Sequence, residues 1–292
     1  MHIVSLIARP GTLDPALTEA LRNAWGGGAV QWLSPDEAAE FPLHALPDTV
    51  ATARADLAAS GADLNILPAA NRRKKMLIAD MDSTMIEQEC IDELAEMAGV
   101  GAQVKDITAR AMNGELDFEG ALRERVALLR GLPEGVIAEV LATRITPMPG
   151  GRDLLATMKA HGAYCVLVSG GFTAFTQRIA DLLGFDENRA NTLLAADGLL
   201  TGEVAEPILG RAAKVEALES ISAQRGLQHS DVLAVGDGAN DLGMLSLAGT
   251  GVALHAKPSV QAQCDIRVNN GDLTALLYLQ GYARSEFAAT GA

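Results

Sequence analysis

The chain has 292 residues, a formal net charge of -14, 49% hydrophobic residues and only 4% aromatic residues. That length allows two compact units with cores built mostly from Ala, Val, Leu and Ile. The acidity disfavours nucleic acid and anionic lipid as partners, so a small anionic substrate would need a local cation.

Chain order begins with His2 to Ala8 as a β-like run, Pro15 to Trp25 with helical spacing, and Ala29 to Leu33 as a second β-like run. Phe41 lies in another short strand, Asp48 to Ala59 reads as a helix behind Pro47, and Asp63 to Leu67 closes the unit. The order βαββαβ predicts a small α+β ferredoxin-like domain over residues 1–71, similar in pattern to ACT regulatory domains. The opening run MHIVSLIARPG lacks a basic flank and is too short for a signal peptide or membrane span, so a cytoplasmic protein with no membrane partner is expected. Cys90, Cys165 and Cys264 are dispersed, without zinc-clamp spacing or a disulfide framework.

The basic run Arg72-Arg73-Lys74-Lys75 reads as a solvated linker, and a chain beginning near Arg72 is expected to fold alone. Beyond it, Met76 to Ala79 is β-like and ends on two aspartates. From Gly150 onward strands and helices alternate: Tyr164 to Val168, Phe172 to Leu183, Val232 to Val235, Asp241 to Ala248. Alternation predicts an α/β fold, a doubly wound, mainly parallel Rossmann-like sheet covered on both faces. Residues 72–85 and 149–292 form this core, and the charged, helical stretch 86–148 interrupts it as a cap. Leu193 to Val204 reads as a hairpin turning at Asp197-Gly198.

In an open parallel sheet the ligand lies beyond the carboxyl ends of the strands. Four polar groups stand there: Asp80-Met81-Asp82-Ser83-Thr84, Ser169-Gly170-Gly171, Lys214, and Gly236-Asp237-Gly238-Ala239-Asn240-Asp241. Asp80 and Asp82, spaced i and i+2, can point into one pocket where a hard divalent cation, magnesium, offsets their repulsion. Asp237 can complete the coordination, while Asn240 and Asp241 anchor the loop. Ser169, followed by two glycines and a helix, suits phosphate oxygens and can also serve as the helix N-cap. Lys214, 23 residues before Asp237, is the lysine of this segment available to neutralise a phosphate. The histidines form no metal or triad spacing.

DMDST, VSGGF, Lys214 and GDGAND, in this order, resemble the four motifs of the haloacid dehalogenase-type phosphatases. With IDELAEMAGV, FEGALRERVALL and RITPMPG the resemblance narrows to the phosphoserine phosphatases of that family and covers about residues 76–280. It implies a magnesium-dependent phosphatase acting on O-phosphoserine, in the last step of serine biosynthesis. It further implies Asp80 as nucleophile, Asp82 as general acid and base, and Asp80, Asp82 and Asp237 as metal ligands, with the Asp82 main chain also on the metal. Ser169, Gly170, Lys214 and Asn240 would hold the phosphoryl group. Glu89 and Arg125 would bind the amino and carboxylate groups of serine, and Met112 and Phe118 would supply apolar cap contacts. A related phosphatase or phosphotransferase, or a catalytically silent amino-acid sensor, are the competing readings; a homodimer through residues 1–71 is a further expectation.

Overall fold

The computed structural model describes residues 1–112 and 115–289. The first unit runs β1 (His2–Ala8), α1 (Pro15–Trp25), β2 (Gln31–Ser34), β3 (Ala38–Leu43), α2 (Val50–Ala59) and β4 (Ala62–Pro68). The strands form an antiparallel sheet in the order β2-β3-β1-β4. Helix α1 starts where the Asp14 side chain accepts the Ala16 N–H with Pro15 next, and ends on Gly26 at φ 63°.

Alternate residues of a strand face opposite sides, and here both sides are covered. Val4, Leu6, Phe41 and Leu64 pack under the helices of this unit. Ile7, Leu33, Ala38 and Leu67 face the other way and join the main core with Leu273 and Tyr278. β1 is therefore buried continuously from Val4 to Ala8.

The second unit opens with β5 (Met76–Ala79), then crosses α3 (Cys90–Met97), α4 (Gly101–Met112), α5 (Phe118–Ala127) and α6 (Val136–Thr143). The chain returns through α7 (Gly151–Ala160), β6 (Tyr164–Phe172), α8 (Thr173–Leu183) and β7 (Glu187–Asn191). A hairpin of β8 (Leu193–Ala196) and β9 (Leu199–Val204) leads to α9 (Arg211–Arg225), β10 (Val232–Gly236), α10 (Leu242–Leu247) and β11 (Thr250–Leu254). Short elements α11 (Pro258–Gln261), β12 (Ile266–Val268) and α12 (Ala275–Leu279) close it.

The six-stranded sheet has the order β12-β11-β10-β5-β6-β7 with every pair parallel. The chain builds outward from β5 in both directions, so the end of β5 is the topological switch point, where the crevice opens. The helical excursion is hinged on two adjacent strands of chain: Glu87 N–H donates to Thr146 O at 3.0 Å and Met148 N–H to Met85 O at 2.9 Å. The hairpin turns at Asp197 (φ 52°) and Gly198 (φ 76°). It leaves the parallel sheet and bonds to the helical segment, with Gly131 N–H on Leu200 O and Leu200 N–H on Leu132 O, both at 2.8 Å.

The basic run is not a solvated linker. Arg72 forks onto Glu40 at 3.0 and 2.6 Å and reaches Leu279 O at 3.1 Å. Arg73 stacks on Tyr282, and buried Lys74 donates to Ser230 O at 2.8 Å. Asn65 exchanges two 2.8 Å hydrogen bonds with the Arg267 main chain, so a side chain of β4 extends the pairing of β12. The expectation that a chain starting near Arg72 keeps an intact core does not fit this packing, because removal of β1 and β4 uncovers Leu273 and Tyr278. Arg72→Ala leaves Glu40 buried and unpaired, and is expected to lower the unfolding free energy by about 3 kcal/mol in a urea titration. Arg22→Ala, which removes the exposed pair with Glu19, should cost less than about 1 kcal/mol.

Candidate active site

Strand β5 delivers Asp80 to the switch point, fixed by its N–H on Val235 O at 3.0 Å. Its Oδ1 accepts the Met81 N–H at 2.7 Å and lies 2.6 Å from the Lys214 ammonium. Lys214 comes from the first turns of α9, is buried, and also donates to Asp241 Oδ1 at 2.5 Å. The other Asp241 oxygen accepts the N–H groups of Asp237 at 3.1 Å and Gly238 at 2.9 Å, which ties down the loop after β10. Gly236 permits this: a Cβ there would stand 2.4 Å from the Asp241 carboxylate.

Carboxylate oxygens of Asp80, Asp237 and Asp241 lie within 4.8 Å of one another. Burial, then Asp241, pushes the Asp80 pKa well above the ordinary range, against the pull of Lys214. Asp237 is pushed up to about 6, by burial first and Asp241 second. Burial acts to lower Lys214, but Asp80 and Asp241 outweigh it and hold the ammonium charged. Three carboxylates around one buried ammonium leave the cluster short of positive charge. An all-oxygen donor set with that deficit fits a hard divalent cation.

Asp82 stands apart from this trio. Its Oδ1 accepts the Cys90 N–H at 2.9 Å and its Oδ2 the Ser169 hydroxyl at 3.3 Å, and burial raises its pKa. Ser169 also accepts the Gly171 N–H at 2.8 Å. It is not the helix N-cap: β6 runs on to Phe172, which occupies the cap position of α8 without a side-chain bond.

A cavity of about 340 Å³ opens over these groups. Asp80, Asp82, Asp237, Ser169, Gly170 and Asn240 line its floor; Glu89, Phe118 and Arg125 of the helical excursion form its roof. Phe118 closes the seam, since a Cβ on Gly170 would lie 3.1 Å from its ring and one on Gly210 3.3 Å. Glu89, at the cap position of α3, accepts the Ser83 hydroxyl at 3.0 Å; burial and Asp82 push its pKa up to about 7. Arg125 donates Nε to Ala121 O at 3.2 Å; burial lowers its pKa, offset by Asp92 and Glu89. Lys214 sits behind Asp80, not on the cavity wall. The Met112 side chain lies outside the described residues.

Asp92, Thr108 and Lys257 also line the cavity and were not singled out from the sequence. Lys257 follows the apolar run of β11 and bonds through its N–H to Asp237 O at 3.3 Å. The strand-end rule applied to β11 would have found it. Asp92 carried no signal beyond helical charge.

The model of the haloacid dehalogenase-like hydrolases matches residues 77–246, which contain the whole cluster. The chain belongs to this family. A phosphoserine phosphatase of Streptomyces coelicolor is 39% identical over 297 residues, covering 98% of this chain and 72% of that one. A haloacid dehalogenase family hydrolase of Salmonella enterica serovar Typhi superposes with a TM-score of 0.86 at 31% identity, over 96% of this chain and 98% of its own. A substrate-bound phosphoserine phosphatase superposes with a TM-score of 0.65 at 42% identity, over 70% of this chain and 97% of its own.

Saturating magnesium added to metal-stripped protein should raise Tm by several degrees, because a cation bound only by the folded state stabilises it. Asp237→Asn, scanned in the same way, should lose most of that rise.

Proposed function

We propose that this chain hydrolyses O-phosphoserine to serine and phosphate through an aspartyl-phosphate on Asp80, with magnesium as the metal. The observation that carries the reading is the buried Asp80 carboxylate at the mouth of the switch point, held by Lys214 at 2.6 Å beneath a roof bearing both Glu89 and Arg125. Asp80 and Asp237, with the main chain of Asp82, would hold the metal. When bound, it screens the phosphate and stabilises charge on the transferring group. Asp241 joins them in the carboxylate cluster, with Lys214 as its counter-ion.

Lys214 keeps the Asp80 carboxylate oriented through Oδ1, leaving Oδ2 as the oxygen that attacks phosphorus. Ser169, the main chain of Gly170 and Asn240 border the space for the phosphoryl oxygens. Asp82, whose burial favours the protonated form, gives its proton to the departing serine oxygen. Ionised, it then takes a proton from the water that attacks the aspartyl-phosphate, so one group serves both halves of the reaction. Glu89 would receive the substrate ammonium and Arg125 its carboxylate, with Phe118 excluding water from the seam.

Asp80→Asn keeps the shape of the side chain and removes its nucleophilic charge, so turnover should fall by roughly 10⁴-fold or more. Steady hydrolysis by that variant would move the nucleophile elsewhere. Arg125→Ala should lower kcat/KM for phosphoserine by about 30-fold or more, equivalent to about 2 kcal/mol, and spare phosphoethanolamine, which has no carboxylate. Equal losses on both substrates would assign Arg125 to the roof packing instead.

A further inference from the structure

The seam between the first unit and the parallel sheet holds a second cavity, of about 230 Å³, lined by Arg54 of α2 and Arg267 of β12. Arg54 donates Nε to Leu64 O at 3.2 Å and Nη2 to Asp265 O at 3.1 Å. Arg267 donates Nε to Cys264 O at 2.8 Å. Main-chain carbonyls thus orient both guanidinium forks without neutralising them.

Carboxylates pair with arginines elsewhere, as at Arg72, Arg123 and Arg189. Among the described residues no ion pair reaches Arg54 or Arg267. Asp63, the acid on the cavity wall, is already occupied: it accepts the N–H groups of Asn269 at 2.9 Å and Asn270 at 2.8 Å and the Asn270 side chain at 3.1 Å. Burial first and then the neighbouring Arg267 lower the Arg54 pKa, against a partial offset from Asp265, whose carboxylate makes no ion pair with either arginine. In a chain with a net charge of -14, acids to quench them are plentiful, yet this pocket has none at contact distance. Ala51, Ala55 and Ala58, all small, line the same cavity from α2.

We propose that this cavity is an oxyanion site in which Arg54 and Arg267 together bind a phosphate group and clamp α2 to β12. Nη1 of Arg54 and both Nη groups of Arg267, which make no hydrogen bond among the described residues, are donors suited to the oxygens of a phosphate. The volume is below that typical of sites for drug-sized ligands, so inorganic phosphate or a small phosphate ester is the class it admits. The site does not depend on the catalytic reading.

Equilibrium dialysis of the full chain against labelled inorganic phosphate tests it, with phosphoserine turnover measured on the same preparations. Arg54→Gln/Arg267→Gln should bind one equivalent less than the unsubstituted chain while turning over normally. Ala58→Glu, on the exposed face of α2 four residues beyond Arg54, keeps both arginines and supplies the missing carboxylate. It should lose the same equivalent and melt no lower in phosphate-free buffer. Unchanged stoichiometry in either variant, or a loss of phosphate that appears only together with a loss of turnover, would overturn the site.

Discussion

The buried Lys214 ammonium, held between Asp80 at 2.6 Å and Asp241 at 2.5 Å, is the interaction on which the rest of the site depends. It joins α9 to the end of β5 and, through Asp241, to the loop after β10. A charge taken out of water is tolerated only when paired and hydrogen-bonded, and here each partner is also tied to main chain: Asp80 to Met81, Asp241 to Asp237 and Gly238. The same arrangement leaves the cluster with more acid than base. A divalent cation could fill the deficit that a single lysine leaves.

Two kinds of work are separated in space. The floor, built at strand ends of the sheet, carries the groups proposed for phosphate chemistry. The roof, from α3 and α5, carries Glu89, Arg125 and Phe118, which meet the floor across glycines at 170 and 210. Because the roof is joined to the floor by the paired strands at 85–87 and 146–148, its groups can select a substrate without disturbing the carboxylate cluster. The first unit packs at the β12 edge of the parallel sheet, where β4 meets β12.

Much of this was legible because the signals are local. Apolar runs mark β5, β6 and β10, residues directly after them mark Asp80, Ser169 and Asp237, and Asp197-Gly198 marks the hairpin turn, whereas the polar β7 and the short β12 at the two sheet edges carry no such signal. What escaped depends on contacts between distant segments. The partners of Arg72 and Lys74 are Glu40 and Ser230 O, which no spacing reveals. Ile7 and Leu67 lie in strands that the sequence assigns to a separate small domain, yet they pack into the main core. Asp241 was read as a loop anchor, which it is, but its place beside Asp80 and Asp237 emerges only when β5 and β10 pair. Ser169 was read as a possible cap because the helix seemed to start sooner; the extended backbone through Phe172 directs its hydroxyl to Asp82 instead.

The central claim is that Asp80 itself carries the phosphoryl group, and trapping tests it most directly. Phosphoserine labelled in its phosphate is mixed with the magnesium-loaded chain and quenched in acid within milliseconds, and the digested peptides are mapped. The account predicts a base-labile label, chased by unlabelled substrate, on the peptide containing Asp80. Label on another residue, or phosphate released at full rate with no labelled peptide at any time, would contradict it.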